Sequence, residues 1–172
     1  MLRRITLVML VAAVALFLGA EVKARKVVCL IIMEESGSAE ANSLFQRFMG
    51  VQPEALRWYA PTQFELTSKG FSASVEGEFG YSAGSFSPLE RYGKAVLGKI
   101  EVELRALKPP KAVKTVTVEL NVDELAASGV QPAALAIETG ARRLGWQKGR
   151  AWIEQIELAS PGHIRAKVGF AR

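Results

Sequence analysis

The stretch Phe71-Ser72-Ala73-Ser74-Val75-Glu76-Gly77-Glu78-Phe79-Gly80-Tyr81 alternates in character with a period of two. Phe71, Ala73, Val75, Gly77, Phe79 and Tyr81 fall on one side, and Ser72, Ser74, Glu76, Glu78 and Gly80 on the other. Successive side chains of a strand point to opposite faces, so the pattern predicts a half-buried antiparallel strand with one face on a core. Phe64 and Leu66 alternate in the same way just upstream, and Ser68-Lys69-Gly70 is a turn sequence, which makes the pair a hairpin.

Toward the C-terminus, Ser82–Ser87 reads as a Gly/Ser loop and Pro88 as the start of a short helix through Tyr92. Ile100, Val102, Leu104 and Ala106 then share one strand face, opposite Glu101, Glu103 and Arg105. Lys108-Pro109-Pro110-Lys111 cannot sit inside a sheet and is a connection. Val116, Val118, Leu120 and Val122 form the next apolar strand face, and Asp123-Glu124-Leu125 opens a brief helical turn closed by Gly129. Pro132 suits a first helical position, Ala134, Ile137, Ala141 and Leu144 follow at helical spacing, and Gly145 stops the run. Trp152–Leu158 and Ile164–Phe170 are two further strands about a Pro161-Gly162 turn.

Toward the N-terminus, Ala41, Leu44, Phe45 and Phe48 predict a helix over 39–49, with Ser38 as N-cap and Gly50 as stop. Pro53 opens a short helical turn carrying Leu56, Trp58 and Tyr59. Val27–Met33 is a strand or the start of the mature domain. Short turns join most neighbours, so the expected fold is α+β: a curved, largely antiparallel sheet of about six strands packed on two main helices.

Met1-Leu2-Arg3-Arg4 followed by an apolar run from Ile5 to Leu18 has the layout of a secretory signal. The run is short for a transmembrane helix, which takes about 20 residues. Cleavage after Ala20 or Ala24, or retention as an N-terminal membrane anchor, are the alternatives. The expected organisation is residues 1–24 as signal peptide or anchor and residues 25–172 as a single domain. The expected location is outside the cytoplasm: periplasm, or the outer face of the cytoplasmic membrane. Cys29 has no small residue beside it, unlike a lipidated cysteine, and suits a small buried hydrophobe.

Composition narrows the function. The chain of 172 residues has one Cys and one His, which excludes an intramolecular disulfide and leaves little for a metal centre or a hydrolase triad. His163 sits at a turn, no G-x-S-x-G motif occurs, and Gly77, Gly80 and Gly84 match no phosphate-binding fingerprint. Glu76/Glu78 and Glu101/Glu103 read as solvated strand faces. No catalytic residue, metal site or cofactor is expected, and the protein is not read as an enzyme. The net charge of +5 includes no Lys/Arg run interleaved with aromatics, so nucleic acid is not an expected partner. A membrane surface is compatible with the mild positive excess. Trp58, Tyr59, Trp146 and Trp152 fit either an interfacial belt or the core.

Ser87-Pro88-Leu89, Gly98-Lys99-Ile100-Glu101-Val102, Pro109-Pro110, Val116-Thr117-Val118-Glu119-Leu120 and Asp123-Glu124-Leu125 occur in an order that resembles the LmeA-like bacterial envelope proteins, small members of the tubular lipid-binding superfamily. The resemblance implies an elongated, strongly curved sheet around a helix, an apolar groove for acyl chains, and no catalytic residues. The expected ligand is a phospholipid or another apolar molecule. Phe71, Ala73, Val75, Phe79, Trp146 and Trp152 are the expected binding residues. Small residues at Ala73, Gly77, Ala106 and Ala166 would leave room for a chain or let helices pack close. The alternative function is a structural or protein-interaction module of the envelope with a filled core and no ligand.

Overall fold

The computed structural model describes residues 22–34, 55–82, 84, 86–92 and 95–172. The apolar N-terminal run and the helix expected over 39–49 lie outside the described residues. The rest form an α+β fold dominated by sheet, with nine strands and two helices among the described residues. The strands are β1 (Val22–Glu34), β2 (Thr62–Thr67), β3 (Gly70–Val75), β4 (Gly80–Ser82), β5 (Phe86–Tyr92), β6 (Ala95–Leu107), β7 (Lys114–Asn121), β8 (Lys148–Ser160) and β9 (His163–Ala171). The helices are α1 (Val122–Ser128) and α2 (Pro132–Leu144), and Arg57–Tyr59 makes one 3-10 turn.

Two antiparallel sheets replace the single sheet of about six strands expected from the sequence. One has the order β3-β2-β8-β9-β7, and the other is built on β6, which pairs with β1 on one side and with β4 and β5 on the other. The decisive stretch is divided between them. Phe71–Val75 belongs to the first sheet and Gly80–Ser82 to the second. The chain crosses at Gly77, whose φ of 71° is a backbone state that favours glycine. The alternation survives because Phe71, Ala73, Val75, Phe79 and Tyr81 all pack against the same core from either sheet.

Pro88–Tyr92 is strand, not helix. The segment pairs along β6, with a register shift between Pro88 and Glu90. Among the described residues β5 has no other neighbour, so the missing N–H of Pro88 interrupts no inner ladder. In β8 the pairing shifts between Ile153 and Gln155, making Glu154 an extra residue. Ile153 and Ile156 therefore share the core face although they are three residues apart, and Trp152 is turned to the opposite face.

The core runs continuously from β1 and β6 through the 3-10 turn to β8, β9, β7 and the helices. Thr62, fully buried, shares its hydroxyl proton between the carbonyls of Arg57 and Ala60, both at 2.9 Å. This ties the 3-10 turn to β2 and seats Trp58 over Phe71. Asn121 caps α1, its Oδ1 accepting from the N–H groups of Asp123 at 2.8 Å and Glu124 at 3.4 Å.

Helix α2 lies on β7, β8 and β9. Its buried positions are Pro132, Ala133, Ala136, Ile137, Gly140 and Ala141, a face rotated from the one the spacing predicts, since Ala134 and Leu144 are only half-buried. Gly140 explains the rotation. A Cβ placed there would lie 2.7 Å from Cζ and 2.9 Å from Cε2 of Phe170. The helix thus seats its one backbone gap over the largest buried ring of β9. Ala166, on the same sheet face, is fully buried. At this interface the small residues bring helix and sheet together.

Candidate functional site

Gly145 ends α2 with a φ of 66°, and the turn closes with two bonds, Gly145 N–H to Arg142 O at 3.1 Å and Trp146 N–H to Ala141 O at 3.0 Å. This is the Schellman pattern, in which the residue after the glycine is fixed against the last helical turn. That residue is Trp146. Its indole meets Phe170 edge-on, with centroids 6.2 Å apart and planes at 78°, and the Arg172 guanidinium lies 4.9 Å from its centre. A guanidinium over an indole face is favourable and keeps the cation partly desolvated.

Phe170 also meets Phe64 edge-on at 5.8 Å, Phe64 stacks on Phe71 at 6.3 Å, and Phe71 stacks on Trp58 at 5.9 Å. One row of rings therefore runs from the 3-10 turn through β3, β2 and β9 to the end of α2. Register builds it: Phe64 pairs with Ala73 and with Gly149, so both of its cross-strand neighbours are small.

An open groove of about 630 Å³ lies at the Trp146 end of this row, with Phe64 and Trp146 in its floor and Lys148, Arg150 and Arg172 around it. A second groove of about 400 Å³ shares Gln63, Phe64 and Lys148 with the first and reaches Ala73. A third, of about 550 Å³, continues past Lys148 to Arg142 and Glu65. Lys148 stands where all three meet. Arg150 donates to the backbone oxygen of Arg172 at 3.2 Å and lies 3.8 Å from Glu76. Volumes of this size are those of small-molecule sites, which combine apolar walls with a few placed polar groups.

Among the residues singled out from the sequence, Trp146 and Ala73 line these grooves. Phe71 is half-buried in the ring row, while Val75 and Phe79 are half-buried against the core away from the grooves. Trp152 is 3% exposed and lines none of the three grooves. Its indole lies over Gly169, where a Cβ would come within 2.7 Å of it. Phe64, Phe170, Lys148, Arg150 and Arg172 are the site residues that sequence reasoning missed. Three phenylalanines at inward positions of three strands were a visible signal, but only the register brings them together.

His163, Glu101 and Glu103 each have a partner of their own among the described residues. His163 Nδ1 sits 3.2 Å from Pro161 O at the β8–β9 turn, exposed. Glu101 pairs with Lys99 at 2.7 Å, and the hydrogen bond and charge of that ammonium hold its carboxyl below the usual range. Glu103 pairs with Arg105 at 3.3 Å. Each carboxylate thus has its own cation and neither acts on the other.

Cys29 and Tyr59 are buried and hydrogen-bonded to each other. Burial pushes the thiol up to about 12 against the opposing effect of that bond, and burial also pushes the Tyr59 hydroxyl well above 10.0. Both stay protonated, and a protonated buried thiol is a poor nucleophile. Burial likewise lowers the Arg25 guanidinium below its ordinary value, opposed by the nearby Tyr59 and Glu154. No group of three or more His, Cys, Asp or Glu side chains that could hold a metal occurs among the described residues, and none of their helices is long and apolar enough to cross a membrane. No family model, curated protein or solved structure matches the chain significantly.

Proposed function

We propose that this chain is an exported cell-envelope protein that binds a phospholipid, with the acyl region along Phe64 and Ala73 and the phosphate among Lys148, Arg150 and Arg172. The observation that carries the reading is the pairing of an aromatic floor with three cations in one groove of about 630 Å³. Trp146 and Phe64 offer apolar surface, and the cations match a phosphodiester. Export rests on the Met1–Ala20 pattern, and the resemblance to LmeA-like proteins agrees with a lipid ligand. The ligand lies at the end of the sheet, because the space between α2 and the sheet is taken by Phe170 and its neighbours.

The competing reading, an interaction module without ligand, is favoured by the same packed interior. Thermal unfolding with and without short-chain phosphatidylglycerol separates the two. A ligand at a hundred times its Kd stabilises by about 2.7 kcal/mol, which raises Tm by roughly 5–10 °C for a chain of this size. Lys148→Glu, at an exposed position, abolishes the shift while leaving the ligand-free Tm within about 2 °C. An unchanged Tm, with no lipid retained in native mass spectra, sinks the lipid reading.

A further inference from the structure

We propose that the β6–β7 connection, residues 108–113, together with Lys114 at the start of β7, is a docking element that seats the groove end of the molecule on an anionic lipid bilayer. Lys108, Lys111 and Lys114 are exposed at intervals of three, and none has an ion-pair partner among the described residues. From Ala106 to Val118 the chain carries no acidic residue. Between the lysines stands Val113, 64% exposed, the most exposed of the large hydrophobic side chains among the described residues.

A cation triad around an apolar tip is well hydrated in water and matches an interface that offers both anionic phosphates and an apolar layer. The valine enters the headgroup boundary while the lysines meet lipid phosphates. Pro109 and Pro110 restrict the connection, so little order is lost on docking.

Position supports the same assignment. The Val113 N–H donates to Phe170 O at 2.8 Å, and Lys114 pairs with Phe170 in the β7–β9 ladder. Phe170 is the ring on which Trp146 rests. The connection, Trp146 and Arg172 therefore share one end of the sheet. Val22, 59% exposed, pairs with Leu107 directly before the connection. The chain preceding Val22 is the apolar Ile5–Leu18 run. An anionic bilayer is the occupant because charge and apolar tip must be met together; a soluble polyanion satisfies only the charge.

The test uses the full chain carrying Val113→Cys labelled with an environment-sensitive fluorophore, and a matched label at Ser160→Cys by the opposite β8–β9 turn. Buried Cys29 stays unlabelled. With vesicles of 30% phosphatidylglycerol in phosphatidylcholine, the label at 113 shifts to the blue and the label at 160 does not. Lys108→Gln/Lys111→Gln/Lys114→Gln lowers the partition coefficient about a hundredfold, at close to fivefold per lysine. Equal responses at 113 and 160, or with pure phosphatidylcholine, overturn the proposal. A shift at 113 induced by polyphosphate without vesicles overturns it in favour of a polyanion. The groove is judged separately: a retained thermal shift with short-chain lipid beside an unmoved label refutes docking alone.

Discussion

Gly140→Ala probes the contact that decides whether α2 can rise from the sheet. At an open helical position the change would stabilise, since glycine costs about 1 kcal/mol relative to alanine. Here the new methyl carbon would sit 2.7 Å from Cζ of Phe170. The ring cannot swing clear, because Phe64 and Trp146 meet it edge-on at 5.8 and 6.2 Å and it has no exposed surface. Overpacking of this kind costs about 1–3 kcal/mol. The net expectation is a loss of roughly 0–2 kcal/mol, or up to about 8 °C in Tm.

The double-mutant cycle sharpens this. In Phe170→Leu the Cζ position is empty, so Gly140→Ala becomes stabilising by about 1 kcal/mol, the bare helix gain. Urea unfolding followed by tryptophan fluorescence reads both, with an unchanged m-value confirming that only stability moved. A gain of about 1 kcal/mol in the parent chain would refute the close approach and reopen the helix–sheet space to an acyl chain.

Two further predictions follow from the N-terminal half. Because the Cys29 thiol stays protonated up to about 12 against an ordinary 9.0, the unfolded chain loses a proton that the folded chain keeps as pH rises through that window. Stability is therefore full below pH 9 and falls by about 1.4 kcal/mol per pH unit above it; Cys29→Ala flattens the slope between pH 9 and 10, and an identical slope in both chains disproves the assignment. On the proposed export, N-terminal sequencing of the processed chain should begin at Glu21, since cleavage after Ala24 would strip Val22, Lys23 and Ala24 from their pairs with Leu107, Ala106 and Arg105. A mature chain starting at Arg25 would show that the first rungs of β1 are dispensable.

Much of the local structure was legible in the residues. The Gly145 stop placed the end of α2 correctly because a glycine followed by an apolar residue is a local capping signal. The β8–β9 hairpin was legible from Pro161-Gly162. The Pro88 segment was misread because proline is equally at home at a helix start and on a sheet edge, and only pairing with β6 distinguishes them. Trp152 fitted either the core or an interfacial belt, and what turns it to the face opposite Ile153 and Ile156 is the extra residue at Glu154, a bulge that leaves no mark in a period-two count.

By itself, then, the sequence determined the alternating strands, the helix ends, the basic-apolar N-terminus and the scarcity of reactive side chains. These are properties of neighbours within a few residues, where backbone geometry links residue type to direction. Tertiary structure alone decided that Phe71–Tyr81 serves two sheets, that Phe64, Phe170 and Trp146 meet, and that Lys148 and Arg172 share one groove. Those facts depend on which strands pair and in what register. Register is set by the summed burial of a whole face and not by any one stretch of chain.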